Sequence, residues 1–130
     1  MIRIKTFGYR TLVSPLSRLD GVFQKLGAEI VDHDPELIFD LTGFFEDSIE
    51  CGKKYPQAVK IFNLLNADIN NPNWGDGRDV RRQLLHADIV TTPSESTRKD
   101  ILNRTGVDSR VIYFPIKKIS KINLIMSLCS

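Results

Sequence analysis

The residues best suited to bind or react stand in four short sets, each directly after a stretch that reads as a β-strand. They are Gly8, Tyr9, Arg10 and Thr11; Thr42, Gly43 and Phe44; Asn66, Asp68, Asn73 and Trp74; and Thr92, Pro93, Ser94 and Glu95. In an open α/β sheet the loops beyond the carboxyl ends of the strands converge, and helix amino termini aim N–H groups at the crevice between them, so ligands bind there. Aromatic, amide, carboxylate and guanidinium side chains in such loops supply stacking faces together with hydrogen-bond donors and acceptors. Each set also has a plainer reading, since turns favour Gly and Asn and Ser94 can be a helix cap alone. The loop over 66–77, rich in Asn, Asp, Gly and Pro, is the preferred site loop, because connections of that length are more often functional than idle.

Spacing sets aside several familiar chemistries. The turn Gly8-Tyr9-Arg10-Thr11-Leu12-Val13 has neither the dinucleotide glycine pattern nor a P-loop lysine, which disfavours NAD or ATP at that turn. Thr6-Phe7 offers no acidic pair of the kind a phospho-receiver domain needs at the end of its first strand. His33 and His86 stand apart from each other and from cysteine, which argues against zinc. No cofactor and no metal is expected.

Elements that would position the four sets alternate between strand-like and helix-like stretches. Residues 2–7 read as a first strand. Ser14-Pro15 then opens a helix whose Leu16, Leu19, Val22, Phe23 and Leu26 share one face, and Gly27 closes it. Strands are expected over 28–31 and 36–41, joined by Asp32-His33-Asp34-Pro35. Phe45, Ile49 and Gly52 fit a brief helix, which Gly52 weakens by about 1 kcal/mol relative to alanine. A central strand follows over 59–65, then a helix after Asp76 that carries Val80, Leu84 and Leu85 inward, then a strand over 88–92. Ser94 caps a last helix with Ile101 and Leu102 toward the core and Gly106 at its end, before a strand over 110–114. The fold expected is α/β: a three-layer, Rossmann-like, doubly wound and mainly parallel sheet of about six strands, spanning residues 1–116. Residues 117–130 read as a basic and apolar tail or a truncated interdomain linker.

Composition agrees with one ordinary globular domain. The 130 residues suffice for one core but not two, and 42% hydrophobic with 26% charged residues excludes disorder and collagen-like repeats. A formal charge of +2 gives nucleic-acid binding no support. Arg78, Arg81, Arg82, Arg98, Lys99 and Arg104 cluster in two segments, either as solvated helix faces or as a phosphate- or membrane-surface patch. Two cysteines, Cys51 and Cys129, suggest no disulfide scaffold. The first residues lack the apolar core of a signal peptide, and no run approaches the ~20 apolar residues of a membrane span, so a cytoplasmic setting is expected.

One segment carries a family resemblance. Ala87-Asp88-Ile89-Val90-Thr91-Thr92-Pro93-Ser94-Glu95-Ser96-Thr97 is similar to the "alanine-aspartate, apolar strand, serine-glutamate" run of retaining GT-B glycosyltransferases of the group 1 kind. Lys99-Asp100-Ile101-Leu102, Gly106-Val107 and Arg110-Val111-Ile112-Tyr113-Phe114-Pro115 continue it. Leu26-Gly27-Ala28-Glu29-Ile30-Val31 and Leu37-Ile38-Phe39-Asp40 resemble earlier strands of the same amino-terminal, acceptor-binding domain. The resemblance implies that this chain binds a sugar or lipid-linked sugar acceptor, while a separate or missing donor domain holds the nucleotide-sugar. It assigns acceptor contacts to Gly8, Tyr9, Arg10, Thr42, Gly43, Phe44, Asn66, Asn73, Trp74, Ser94 and Glu95. Where the family often carries a histidine after its central strand this chain has Asn66, which cannot act as a base, so any base would be Asp68. The partners implied are that acceptor and a donor-domain subunit or a second copy of the chain, with peripheral rather than spanning membrane contact. The alternative is a non-catalytic module that binds a protein or carbohydrate on the same fold.

Overall fold

The computed structural model describes residues 2–8, 21–41, 45–64 and 78–112. Six strands form one sheet: β1 (Arg3–Phe7), β2 (Glu29–Ile30), β3 (Leu37–Asp40), β4 (Val59–Asn63), β5 (Ile89–Thr92) and β6 (Arg110–Val111). Their order is β2-β1-β3-β4-β5-β6, and all five pairings are parallel. Helical residues 21–25 (α1) precede β2, and α2 (Glu46–Lys54), α3 (Arg78–Leu84) and α4 (Glu95–Thr105) follow β3, β4 and β5.

The period-two alternation of a strand sorts the core into two layers. Leu37, Phe39, Leu41 and Ile61 pack with Ile4 and with Phe23 of α1. Phe62, Leu64 and Val90 point the other way, onto Ile49 of α2, Val80 and Leu84 of α3 and Ile101 of α4. Helices therefore cover both faces, and the fold is a Rossmann-like, doubly wound α/β sheet. Phe23 meets Phe39 edge-on at 5.8 Å on the first face, and Phe45 stacks on Phe62 at 4.5 Å on the second.

Strand order reverses at β1. The chain steps outward from β1 to β2, then crosses back to β3 on the opposite side, as in flavodoxin-like sheets. A parallel crossover normally needs a helix to bring the chain back to the sheet's starting edge. Here a short turn suffices, because β2 stops level with Ile4 and β3 starts level with the same residue. Arg3 fastens the turn through Nε to the Asp34 carbonyl (2.9 Å) and an ion pair with Glu36 (3.0 Å).

Local signals explain the helix ends. Acidic Glu46 and Asp47 open α2 and basic Lys53 and Lys54 close it, which complements the helix dipole. Gly27 and Gly106 take left-handed conformations (φ 90° and 73°) after α1 and α4. Two inward assignments are corrected. Leu85 is 66% exposed because α3 ends at Leu84, and Leu102 is 37% exposed because it sits about 100° around α4 from the fully buried Ile101. Arg81, Arg82 and Lys99 stand exposed on the helices. No helix among the described residues is long and apolar enough to cross a membrane.

Candidate functional site

Three neighbouring strands end in buried polar side chains at their carboxyl ends: β3 in Asp40, β4 in Asn63, and β5 in Thr91 and Thr92. An apolar residue there would satisfy packing more cheaply, since each buried polar group needs a partner. This edge includes the reversal between β1 and β3, where the fold rule places ligands.

On the face covered by α2, Ser48 Oγ donates to Asp40 Oδ2, and both side chains are fully buried. Ser48 lies in the first turn of α2, so the carboxylate sits against a helix amino terminus as well as a hydroxyl. No side chain among the described residues caps α2; the Phe45 backbone N–H donates to Gln83 Oε1 of α3 at 3.3 Å. Gln83 Nε2 donates in turn to Asp79 Oδ2 at 3.2 Å. The start of α2, and Ser48 with it, is thus tied to the next helix.

Asn63 and Thr91 are paired in register on the opposite face. Thr91 Oγ1 donates to Asn63 Oδ1 at 2.8 Å, and Nδ2 of Asn63 has no hydrogen-bond partner among the described residues. Thr92 points to the α2 side and shares a 3.1 Å hydrogen bond with Ser109 Oγ. A row of hydroxyl, amide and carboxylate groups of this kind can bind a polar, hydroxyl-bearing molecule and orient it.

Of the residues singled out from sequence, Gly8 lies at this edge, half-buried after β1. Ser94 caps α4, its Oγ accepting from the Thr97 N–H at 3.1 Å, and Glu95 pairs with Arg98 at 3.1 Å. Tyr9, Arg10, Thr42, Gly43, Phe44, Asn66, Asp68, Asn73 and Trp74 lie outside the described residues. Asp40, Ser48, Asn63 and Thr91 were not among the site residues read from sequence. A usable signal existed: Leu-Ile-Phe-Asp, Ile-Phe-Asn and Ile-Val-Thr-Thr each close an apolar strand on a polar residue.

Other reactive groups lie elsewhere. Cys51, in the middle of α2, has its thiol pKa pushed up by burial, against the opposing pull of Lys5 and Lys54, which leaves less thiolate at neutral pH. A hollow of about 220 Å³ opens beside the first half of β5, lined by Asp88, Ile89, Val90, Asp108, Ser109 and Arg110. Beside it, β6 pairs with Thr91 and Thr92 in the second half of β5. The hollow's acidic residues are engaged: Asp88 accepts from the Lys60 N–H at 2.7 Å, and Asp108 takes the Arg98 guanidinium on both oxygens at 2.7 and 3.0 Å. That fork holds the Asp108 carboxyl below its ordinary pKa.

Comparison of the chain with protein-family models, curated proteins and solved structures gave no match.

Proposed function

We propose that this chain is the acceptor-binding half of a GT-B-like glycosyltransferase, and that it holds a hydroxyl-rich acceptor at the carboxyl edge of its sheet. One observation carries the reading: β3, β4 and β5 each end in a buried group able to donate to or accept from a hydroxyl. Sugars present a dense array of hydroxyls, and a site built to hydrogen-bond them discriminates strongly against molecules that lack them. The β5–α4–β6 order, with Ser94 as cap and Gly106 as terminator, suits the segment that resembles the group 1 enzymes. Asp40 is a carboxylate within the described edge that can orient an acceptor hydroxyl, alongside the sequence-based candidate Asp68.

Transfer also requires groups that stabilise the departing nucleotide diphosphate. In this reading a donor domain supplies them from another polypeptide or segment. The test is a panel of mono- and oligosaccharide acceptors titrated into the chain, then assayed for transfer with and without a separately expressed donor domain. Binding of at least one acceptor by the chain alone, and transfer only with the donor domain, is the expected result. No binding across the panel and no transfer would refute the proposal.

A further inference from the structure

Asn63 closes β4 and is fully buried. Thr91, its register partner on β5, fixes the side-chain amide by donating to Oδ1, which leaves the NH2 end turned away from that bond. A primary amide has two N–H donors to satisfy, and Nδ2 has no partner among the described residues. An orphaned buried donor of this kind weakens folding by roughly 5- to 150-fold. Packing gives no reason to accept that, since leucine has a similar branched shape and no such need. The position does give one, because it is the last residue of a strand at the edge where ligands of doubly wound sheets lie.

We propose that Asn63 is a specificity-determining residue: its NH2 donates to an uncharged oxygen of the ligand, and Thr91 holds it oriented for that contact. The inference rests on the reading of this edge as a sugar-acceptor site and deepens it. Asn63 and Thr91 are both uncharged, so a hydroxyl or ring oxygen fits the pair better than a carboxylate or phosphate. A charged group would give up its hydration there with no counter-charge from these two residues.

The experiment compares the wild-type chain, T91V and the double variant N63L/T91V by denaturant unfolding and by calorimetric titration with methyl α-glucoside, methyl α-mannoside and methyl α-galactoside. The wild type is expected to bind at least one glycoside. N63L/T91V is expected to unfold at the same or a higher denaturant concentration, because an apolar pair of similar shape replaces an incompletely satisfied polar one, and to bind at least ~10-fold more weakly. T91V, which keeps the donor but loosens it, should bind about 2- to 10-fold more weakly. Unchanged affinity in N63L/T91V overturns this inference and leaves the acceptor reading standing. Earlier unfolding of the double variant, or failure to fold, places the amide's partner inside the protein and also overturns it. A wild type that binds none of the glycosides overturns this inference; the acceptor reading itself is refuted when the wider acceptor panel and the transfer assay fail as well.

Discussion

The two edges of the sheet use polar residues in opposite ways. Toward the amino ends of the strands, charges of opposite sign pair near water: Arg3 with Glu36, Lys60 with Asp88, and Arg98 with Asp108. At the carboxyl ends, Asp40, Ser48, Asn63, Thr91 and Thr92 are buried and bonded among themselves or to a neighbouring hydroxyl. Exposed pairs fasten loops and contribute little each. Buried polar groups carry large penalties when unmatched, so they persist where something beyond packing requires them. In the proposed reading, recognition belongs to the carboxyl edge and loop fastening to the amino edge.

Substitutions can break that contrast, and the largest effect is expected at Ser48. Ser48→Ala removes the hydroxyl that donates to a buried carboxylate, and chemical denaturation should show a loss of about 1.5–3 kcal/mol. A loss under about 0.5 kcal/mol, within the usual range for surface substitutions, would mean that the buried edge is no more demanding than the solvated one. Ser94→Ala comes next, at about 1 kcal/mol, because it removes the α4 cap. Acceptor affinity measured alongside decides whether Ser94 has any role beyond capping.

The Arg98–Asp108 fork tests the other side through pH. The folded pKa of Asp108 is lowered, chiefly by its hydrogen bonds from Arg98, so the unfolded chain takes up its proton first as pH falls. The stabilisation is complete above the unfolded pKa of about 3.9 and is lost as pH drops through the lower folded value. Unfolding of Asp108→Asn followed over this range should show a shallower acid dependence than the wild type. Equal slopes would show that the pair does not contribute.

Gly52→Ala should have the smallest effect. The gain in helix propensity is about 1 kcal/mol, but an added Cβ would stand 2.7 Å from Cδ of Lys60. That methylene belongs to a flexible stem, so the stem must move and partly offset the gain. Net change by thermal unfolding should stay within about 1 kcal/mol. A larger loss would show that the Lys60–Asp88 fastening depends on the stem's present path.

These effects also mark what the sequence could reveal. Alternating apolar stretches, Ser94, Gly27 and Gly106 disclosed the elements because each signal is local. Strand order was not legible, since the placement of β2 beside β1 and β3 across from it depends on pairings distant in sequence. Leu85 and Leu102 misled for a related reason: each adjoins a buried residue, and a shift of one position turns a helical side chain by about 100°. At the candidate site, the rule of carboxyl ends singles out loop residues, most of which lie outside the described residues, and passes over the strand-end positions. Asp40 and Asn63 were absorbed into strand readings over 36–41 and 59–65, although a strand can bury a polar residue at its last position as readily as a loop can present one.

The central claim is that ligand recognition belongs to the carboxyl edge. It is tested most directly by following backbone amide resonances of the ¹⁵N-labelled chain during titration with methyl α-glucoside, methyl α-mannoside and methyl α-galactoside. The account predicts saturable shifts at Gly8, Leu41, Leu64 and Thr92 with at least one of the glycosides, and none at Arg3, Glu36 or Asp88. Shifts confined to Arg3, Glu36 and Asp88, or no saturable shift with any of the three glycosides, would contradict it.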